Sequence, residues 1–250
     1  RQHTAPEVGD LDGDGALDVV ALLSIPGSFS YIIAYHEKLG GGIFADEVEV
    51  DQAGVRAGAV AAVDLDRDGR SEIVFSGEVD GATWAHVYRN DAKSGIDFRS
   101  AVIPGGATGT SAFGPLAIGD LNGDSFPDVS YVGSFPTAGT SLVYIPQRPF
   151  EGRFDPTDEN GADVVEALPG WTGPTARLVD INGDGDEDWV GAASSGIQWV
   201  ENNGSGLSGA GAPATIYSGG VATFDLADVD SDGAMDLIAG TASGIYVVRG

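Results

Sequence analysis

Acidic residues recur in this sequence at a spacing that suits the coordination of calcium. A nine-residue pattern places Asp at position 1, Asp or Asn at position 3, Asp at position 5 and an acid at position 9. Calcium takes about six to eight oxygen ligands in a flexible shell, and side chains at alternate positions converge on one point when the backbone coils tightly. The five copies of the pattern are residues 10–18, 64–72, 120–128, 180–188 and 228–236.

Each copy predicts one calcium site, so we expect the chain to bind up to five Ca²⁺ ions. The predicted side-chain ligands are Asp10, Asp12, Asp14 and Asp18; Asp64, Asp66, Asp68 and Glu72; Asp120, Asn122, Asp124 and Asp128; Asp180, Asn182, Asp184 and Asp188; Asp228, Asp230, Asp232 and Asp236. The predicted backbone carbonyl ligands, at position 7, belong to Ala16, Arg70, Phe126, Asp186 and Ala234. The alternative is a solvated acidic turn, which is disfavoured because carboxylates packed so closely repel one another without a cation.

The second and third copies depart from the pattern. The third has Ser125 at position 6, where Gly would allow a sharp turn, and Pro127 at position 8. Proline restricts the preceding residue, Phe126, whose carbonyl is a predicted ligand. We therefore predict that the third site binds calcium less tightly than the others. The second copy ends in Glu72, whose longer side chain can change how it coordinates the ion.

The segments around each loop are predicted to be strands. Short apolar runs precede the loops, as at residues 60–63, and others follow them, as at residues 17–23. Runs rich in Val, Ile, Tyr and Phe between Gly, Asn and Asp indicate strands and turns. The weak helical pattern at residues 160–168 is not convincing. A third run in each repeat carries an aromatic residue, namely Tyr35, Tyr88, Tyr144, Trp199 and Tyr246.

Four strands in a repeat of roughly 50 residues is the size of a propeller blade. The sequence therefore predicts an all-β chain in which residues 1–250 form a single β-propeller domain of four-stranded blades, with five repeats visible. The fifth repeat ends after its third strand. Two readings stay open: five blades close with one blade short, or the chain is part of a larger propeller of six to eight blades. The aligned aromatic residues are expected to pack between neighbouring blades, whereas Trp171, in the loop entering the fourth repeat, has no counterpart and is a candidate for ligand stacking.

Composition excludes several classes of function. The net charge of −26 comes from 38 acidic and 12 basic residues. Such a surface repels nucleic acid phosphates and anionic membranes. No apolar run has the length of a membrane span. The chain has no cysteine, so disulfides, zinc thiolate sites and cysteine nucleophiles are excluded.

No catalytic constellation is visible, and no organic cofactor site is predicted. The three histidines, His3, His36 and His86, fall at unrelated positions of the repeats. Many of the acids lie in the five loops, and a carboxylate bound to calcium is a poor general acid because the cation keeps it ionised. We therefore expect a non-enzymatic protein, although catalysis is left open.

The loops and their flanks resemble the FG-GAP/VCBS repeat family, to which the propellers of integrin α-subunits are related. Loops of the form Asp-x-Asn/Asp-Gly-Asp-Gly-x-x-Asp are followed by a strand and, at residues 199–204, by the turn Trp-Val-Glu-Asn-Asn-Gly. The resemblance implies a β-propeller with one calcium ion in each blade, bound between the first and second strands. It also implies an extracellular, secreted or cell-surface setting, or a periplasmic one.

Members of that family include lectins, adhesion proteins and accessory domains of polysaccharide-degrading enzymes, so the fold does not fix the function. The favoured hypothesis is a secreted calcium-binding module for recognition or adhesion, with a glycan or an extracellular protein as partner. The alternatives are a structural subunit that assembles with other subunits, and an accessory or catalytic domain of a polysaccharide lyase or hydrolase.

Overall fold

The computed structural model describes an all-β chain, as predicted. It describes residues 6–27, 30–79, 82–90, 96, 98–103, 116–135, 139–145, 163–167, 171–207 and 210–250, and within these ranges it contains strands and no helix. The strands are β1 (Glu7–Gly9), β2 (Asp18–Ser24), β3 (Ser30–His36), β4 (Lys38–Gly40), β5 (Ile43–Phe44), β6 (Val48–Val63), β7 (Glu72–Val79), β8 (Ala82–Asn90), β9 (Phe98–Ile103), β10 (Leu116–Gly119), β11 (Asp128–Phe135), β12 (Gly139–Ile145), β13 (Asp163–Ala167), β14 (Trp171–Val179), β15 (Asp188–Ala193), β16 (Gly196–Val200), β17 (Ala214–Ser218), β18 (Thr223–Ala227), β19 (Asp236–Thr241) and β20 (Gly244–Val248).

The strands form antiparallel sheets that follow the repeats. The third repeat forms the sheet β10-β11-β12-β13, the fourth forms β14-β15-β16-β17, and the fifth forms the three-stranded sheet β18-β19-β20. The first two repeats share one seven-stranded sheet because β6 runs without a break from one to the other. Its first half pairs with β3 and its second half pairs with β7.

The structure bears out one sequence expectation about local structure and corrects another. Within residues 160–168, where a weak helical pattern lies, residues 163–167 form strand β13. Trp171 is not in a loop, because it begins strand β14 and pairs with Ala193. The backbone pairing of each segment with a neighbouring strand decides its structure, and a local pattern does not contain that information.

Successive sheets pack with their first strands side by side. Strand β1 contacts β6, β6 contacts β10, β10 contacts β14, and β14 contacts β18. This arrangement is β-propeller-like. Within the described ranges, β18 and β1 do not pack against each other as the other first strands do, so no closed ring is seen. The number of blades therefore stays a prediction.

Apolar clusters lie between the sheets and hold them together. Ile73 packs against the first repeat, in a cluster with Val20 and Leu22. The next residue, Val74, packs against Val129 of the third repeat. Successive side chains of a strand point to opposite faces, so each central sheet is buried on both sides. Full burial of such a side chain contributes about 1.5–3 kcal/mol.

The aromatic residues of the third strands mostly occupy these interfaces, as predicted. Tyr35, Tyr88 and Tyr144 are buried. Tyr35 and Tyr88 share the cluster between the first two repeats, so they approach it from opposite sides. Tyr246 differs, because it is 44% exposed, although its ring contacts that of Tyr217 in the fourth repeat.

No helix in the described ranges is long and apolar enough to cross a lipid bilayer.

Candidate metal sites and a neighbouring pocket

The five acidic loops share one architecture, in which each loop joins the first strand of a repeat to the second. The acid at position 9 is the first residue of the second strand and is buried in every repeat; these acids are Asp18, Glu72, Asp128, Asp188 and Asp236. One oxygen of each accepts the backbone N–H of position 2 in the same loop, at 2.9–3.3 Å. The position-9 acid therefore closes its loop.

The other oxygen of the position-9 acid reaches the end of the third strand. Asp18 accepts the N–H of Lys38 at 2.7 Å, and Asp188 accepts the N–H of Asn202 at 2.8 Å. Asp236 accepts the N–H of Gly250 at 3.1 Å. These buried acids therefore fix three strands of a sheet to one loop.

The acid at position 1 collects backbone N–H groups from the turn. Asp10 accepts the N–H groups of Gly13 and Gly15, each at 2.8 Å. Asp180 makes the equivalent bonds in the fourth loop, at 2.7 and 2.9 Å. The position-1 carboxylates, which are predicted ligands, therefore also hold the loop backbone in the coiled conformation.

Positions 4 and 6 of the loops have left-handed backbone conformations. In the first loop they are Gly13 and Gly15, with φ of 78° and 84°. The loop sequences predict the sharp turn at position 6 but do not predict the left-handed residue at position 4. Non-glycine residues take this conformation at Arg67, Ser125 and Ser231, with φ of 59°, 72° and 63°, at a cost of roughly 1–2 kcal/mol each.

The structure brings the acids of positions 1, 3 and 9 together in three loops. The carboxylate oxygens within each triad lie within 4.8 Å of one another; the triads are Asp10, Asp12 and Asp18; Asp64, Asp66 and Glu72; Asp228, Asp230 and Asp236. In the third and fourth loops position 3 is an amide, Asn122 or Asn182, whose carbonyl oxygen accepts the N–H of position 5 at 2.9 or 3.0 Å. The position-5 acids Asp14, Asp68 and Asp232 are not members of the triads, and each accepts the position-7 N–H at 2.7–2.9 Å.

The electrostatics of the loops oppose ionisation in the absence of a cation. Burial, aided by the charges of Asp66 and Asp64, raises the pKa of Glu72 to about 8. Burial also raises the pKa of Asp188 to about 6, and the neighbouring acids add to this effect. The pKa of Asp12 is raised above its ordinary value by desolvation and by the other carboxylates of its loop. A divalent cation would relieve both causes.

Arginines partly neutralise two of the loops. The Arg70 guanidinium lies 2.6 Å from Asp68, and Arg249 lies 2.6 Å from Asp230. Arg67 stacks over the ring of Phe126 in the next repeat, 4.9 Å from its centroid. The two ion pairs therefore lie in the second and fifth loops.

The loops fit a hard divalent cation. The converging donors are carboxylate and amide oxygens, which calcium prefers, with no sulfur or imidazole among the predicted ligands. In the third loop, Oδ1 of Asp120 is buried and has no hydrogen-bond partner. Such an oxygen is costly unless something binds it.

Two asparagines that the sequence analysis did not single out connect neighbouring repeats. The side-chain amide of Asn202 donates to the carbonyl of Leu121, at position 2 of the preceding loop, at 2.6 Å. Asn90 makes the equivalent bond to the carbonyl of Leu11. Both asparagines are 1% exposed. A possible signal was their place two or three residues after an aligned aromatic residue, as in the turn at residues 199–204.

A pocket of about 190 Å³ lies between the fourth and fifth repeats. Its apolar wall includes Trp199, Ile216 and Leu237, and Asn182 and Arg249 add an amide and a guanidinium. Asn182 is also position 3 of the fourth loop. The pocket therefore adjoins a candidate metal site.

The chain belongs to the FG-GAP-like repeat family. The sequence pattern of the family matches residues 10–75, 64–130 and 180–239, which together make up more than half of the chain. This confirms the resemblance. Comparison with curated proteins finds no match.

Solved structures with a similar fold include three carbohydrate-related proteins. One is an Agrocybe aegerita lectin that recognises non-reducing terminal N-acetylglucosamine, with 19% identity over 97% of this chain and a TM-score of 0.60. The second is the rhamnogalacturonan lyase YesW, with 18% identity over 98% of this chain and a TM-score of 0.60. The third is the exotype rhamnogalacturonan lyase YesX, with 17% identity over 98% of this chain and a TM-score of 0.57. This chain spans 62%, 48% and 47% of the three proteins, respectively. At these identities the likeness concerns the fold alone.

Proposed function

We propose that this protein is a calcium-binding, β-propeller-like recognition module that binds carbohydrate in the pocket between its fourth and fifth repeats. The observation that carries the proposal is that Trp199 lines the same pocket as Asn182 and Arg249. The proposed role of calcium is to hold the loops that shape this pocket, with the ligand set predicted from the sequence.

The chemistry of the pocket suits a sugar. A sugar ring offers an apolar C–H face, which packs on an aromatic ring, and hydroxyl groups, which bond to amide and guanidinium groups. Binding pockets combine an apolar lining with a few placed polar groups in this way. The volume is below the range of roughly 300–1,000 Å³ for drug-sized ligands, so we expect it to hold one sugar unit, such as a chain end.

The similar structures support a carbohydrate partner. One of them recognises N-acetylglucosamine and two are rhamnogalacturonan lyases. A recognition domain of this kind acts outside the cell or at the cell surface, where polysaccharides and millimolar calcium are present. A module with this pocket could also be an accessory domain of a polysaccharide-degrading enzyme.

Recognition is preferred to catalysis because of where the candidate bases lie. His86 is 5% exposed and its ring packs near Phe75 and Tyr88. His36 contacts the carbonyl of Ala45 at 3.1 Å. Burial raises the pKa of Tyr88 above its ordinary value, with Asp51 adding to the shift, which disfavours the phenolate that would act as a base.

The test is a glycan array followed by calorimetric titration with N-acetylglucosamine and with rhamnogalacturonan oligosaccharides. Trp199→Leu keeps an apolar side chain and removes the ring, so it should abolish binding. Tyr246→Leu, on an exposed aromatic residue outside the pocket, is the matched control and should bind normally. Unchanged binding by Trp199→Leu, or no glycan bound by the wild type in calcium, would refute the proposal.

A further inference from the structure

Glu187 extends from the fourth loop to the third. It occupies position 8 of its own loop, and its carboxylate lies against Gly119, the residue immediately before Asp120. A Cβ added to Gly119 would overlap with Oε2 of Glu187. The Asp120 carboxylate is close enough to act on Glu187 electrostatically. In the described part of the chain the side-chain carboxylate of Glu187 has no ion-pair or hydrogen-bond partner, whereas its backbone carbonyl accepts from the Asn202 amide.

Asp120 differs from its equivalents in the way its carboxylate is held. In the other four loops, Oδ1 of the position-1 Asp accepts the N–H of position 5 at 3.1–3.2 Å. Oδ1 of Asp120 makes no hydrogen bond although it is buried. Two neighbouring carboxylates, one with an unpartnered buried oxygen, repel each other unless a cation lies between them.

The third loop also has fewer predicted carboxylate ligands than the first, second and fifth loops. Its predicted carboxylates are Asp120, Asp124 and Asp128, because position 3 is Asn122. The first, second and fifth loops each offer four. A carboxylate from the next repeat would bring the third site to the same number.

We propose that Glu187 is an additional ligand of the calcium ion in the third loop, supplied across the boundary between the third and fourth repeats. The other position-8 residues, Leu17, Ser71, Pro127 and Met235, have no carboxylate. This cross-repeat ligand therefore belongs to one boundary alone. It offsets the weakness that Ser125 and Pro127 give to the third loop, and it makes the docking of the fourth repeat on the third depend on calcium. The inference rests on the proposed occupancy of the loops by calcium.

The first experiment measures calcium occupancy at each loop by anomalous diffraction from crystals of the full chain at limiting Ca²⁺. Glu187→Gln should lower affinity at the third loop by at least roughly ten- to a hundred-fold, because that is the effect of removing a residue that only supports a metal ligand and Glu187 is proposed to contact the ion directly. The other four loops should keep their occupancy. Asp46→Asn removes one exposed negative charge outside the five loop sequences and is the matched control.

A second measurement separates a ligand from a structural residue. The melting temperature of Glu187→Gln in EDTA should equal or exceed that of the wild type, because a repulsion is removed, while its rise on adding calcium should be smaller. An equal fall with and without calcium would overturn the assignment, as would unchanged occupancy at the third loop in the variant. If no ion occupies any loop of the wild-type protein, the proposed calcium function itself fails, and the two failures are therefore distinct.

Discussion

At the scale of single residues, the nine-residue loop is specified mainly by backbone conformation and by buried carboxylates. The sequence predicted the acids as a converging set, and the structure brings positions 1, 3 and 9 together in three loops. It could not predict the left-handed backbone at position 4, because Arg67 and Ser231 stand there as well as glycines. Closure of the loop by hydrogen bonds outweighs the strain of those residues.

Relief of that strain should stabilise the protein. Ser125→Gly should raise the free energy of unfolding by about 1 kcal/mol, since glycine adopts a φ of 72° without steric cost. Ser218→Gly, on an exposed strand residue, is the control and should be destabilising by roughly 0.5–1 kcal/mol. Urea unfolding measures both. A lower stability for Ser125→Gly would mean that a contact of the serine side chain stabilises the protein by more than the backbone strain destabilises it.

The raised pKa of Glu72 predicts opposite pH dependence with and without calcium. A carboxyl group whose pKa is about 8 in the folded state and near 4.5 in the unfolded state holds its proton more tightly when folded. The metal-free protein should therefore lose stability as the pH rises from about 5 to 8. Calcium binds the ionised group, so the stabilisation by calcium should increase over the same interval.

Thermal melting at pH 5.5 and pH 8, in EDTA and in calcium, tests this prediction. Glu72→Gln cannot titrate, so its melting temperature in EDTA should depend less on pH than that of the wild type. A wild-type protein that gains stability in EDTA as the pH rises would contradict the burial of a protonated Glu72.

At the scale of the elements, the sequence identified the strand, loop and strand at the start of each repeat, because alternating acids and short apolar runs mark them directly. The continuous strand β6 was not predicted, because the apolar run at residues 60–63 was assigned as a separate strand, whereas pairing with β3 and β7 keeps the chain extended from Val48 to Val63. The side of the sheet that each aromatic residue faces also depends on register between strands, so Tyr88 and Tyr35 meet from opposite sides.

The asparagine at the end of the third strand should hold adjacent repeats together. Asn202→Ala removes the bonds of its amide to Leu121 and to Glu187, at 2.6 and 3.0 Å, and leaves a buried carbonyl unsatisfied. The free energy of unfolding should fall by about 1–3 kcal/mol. Asn203→Ala, on the exposed neighbouring residue, is the control and should change it by less than about 0.5 kcal/mol. Equal effects in urea unfolding would show that Asn202 has no special role between the repeats.

At the scale of the whole molecule, the large net negative charge is the main feature. The chain carries a net charge of −26, and five calcium ions would reduce it to about −16 and act where the charge is densest. The sequence could predict this acidic, repeated architecture because composition and repeat spacing are local. It could not decide the number of blades, because ring closure depends on contacts between distant strands. The pocket beside Trp199 likewise forms only when the fourth and fifth repeats pack together.

Calcium should therefore account for much of the stability. Extracellular calcium modules bind with dissociation constants of about 10⁻⁴ to 10⁻³ M. At ~2 mM free calcium, a site with a dissociation constant of ~0.2 mM adds about 1.4 kcal/mol by mass action, and five independent sites add roughly 7 kcal/mol. A chain of this size gains roughly 2–4 °C in melting temperature per kcal/mol.

The most direct test is calorimetric melting of the full chain in excess EDTA, in millimolar calcium and in millimolar magnesium. We predict that the melting temperature in calcium exceeds that in EDTA by more than about 10 °C. Magnesium should restore little of the difference, because it prefers a small octahedral shell with bound waters to a crowded shell of protein ligands. Melting temperatures in EDTA and in calcium that agree within about two degrees would contradict the assignment of the loops as structural calcium sites.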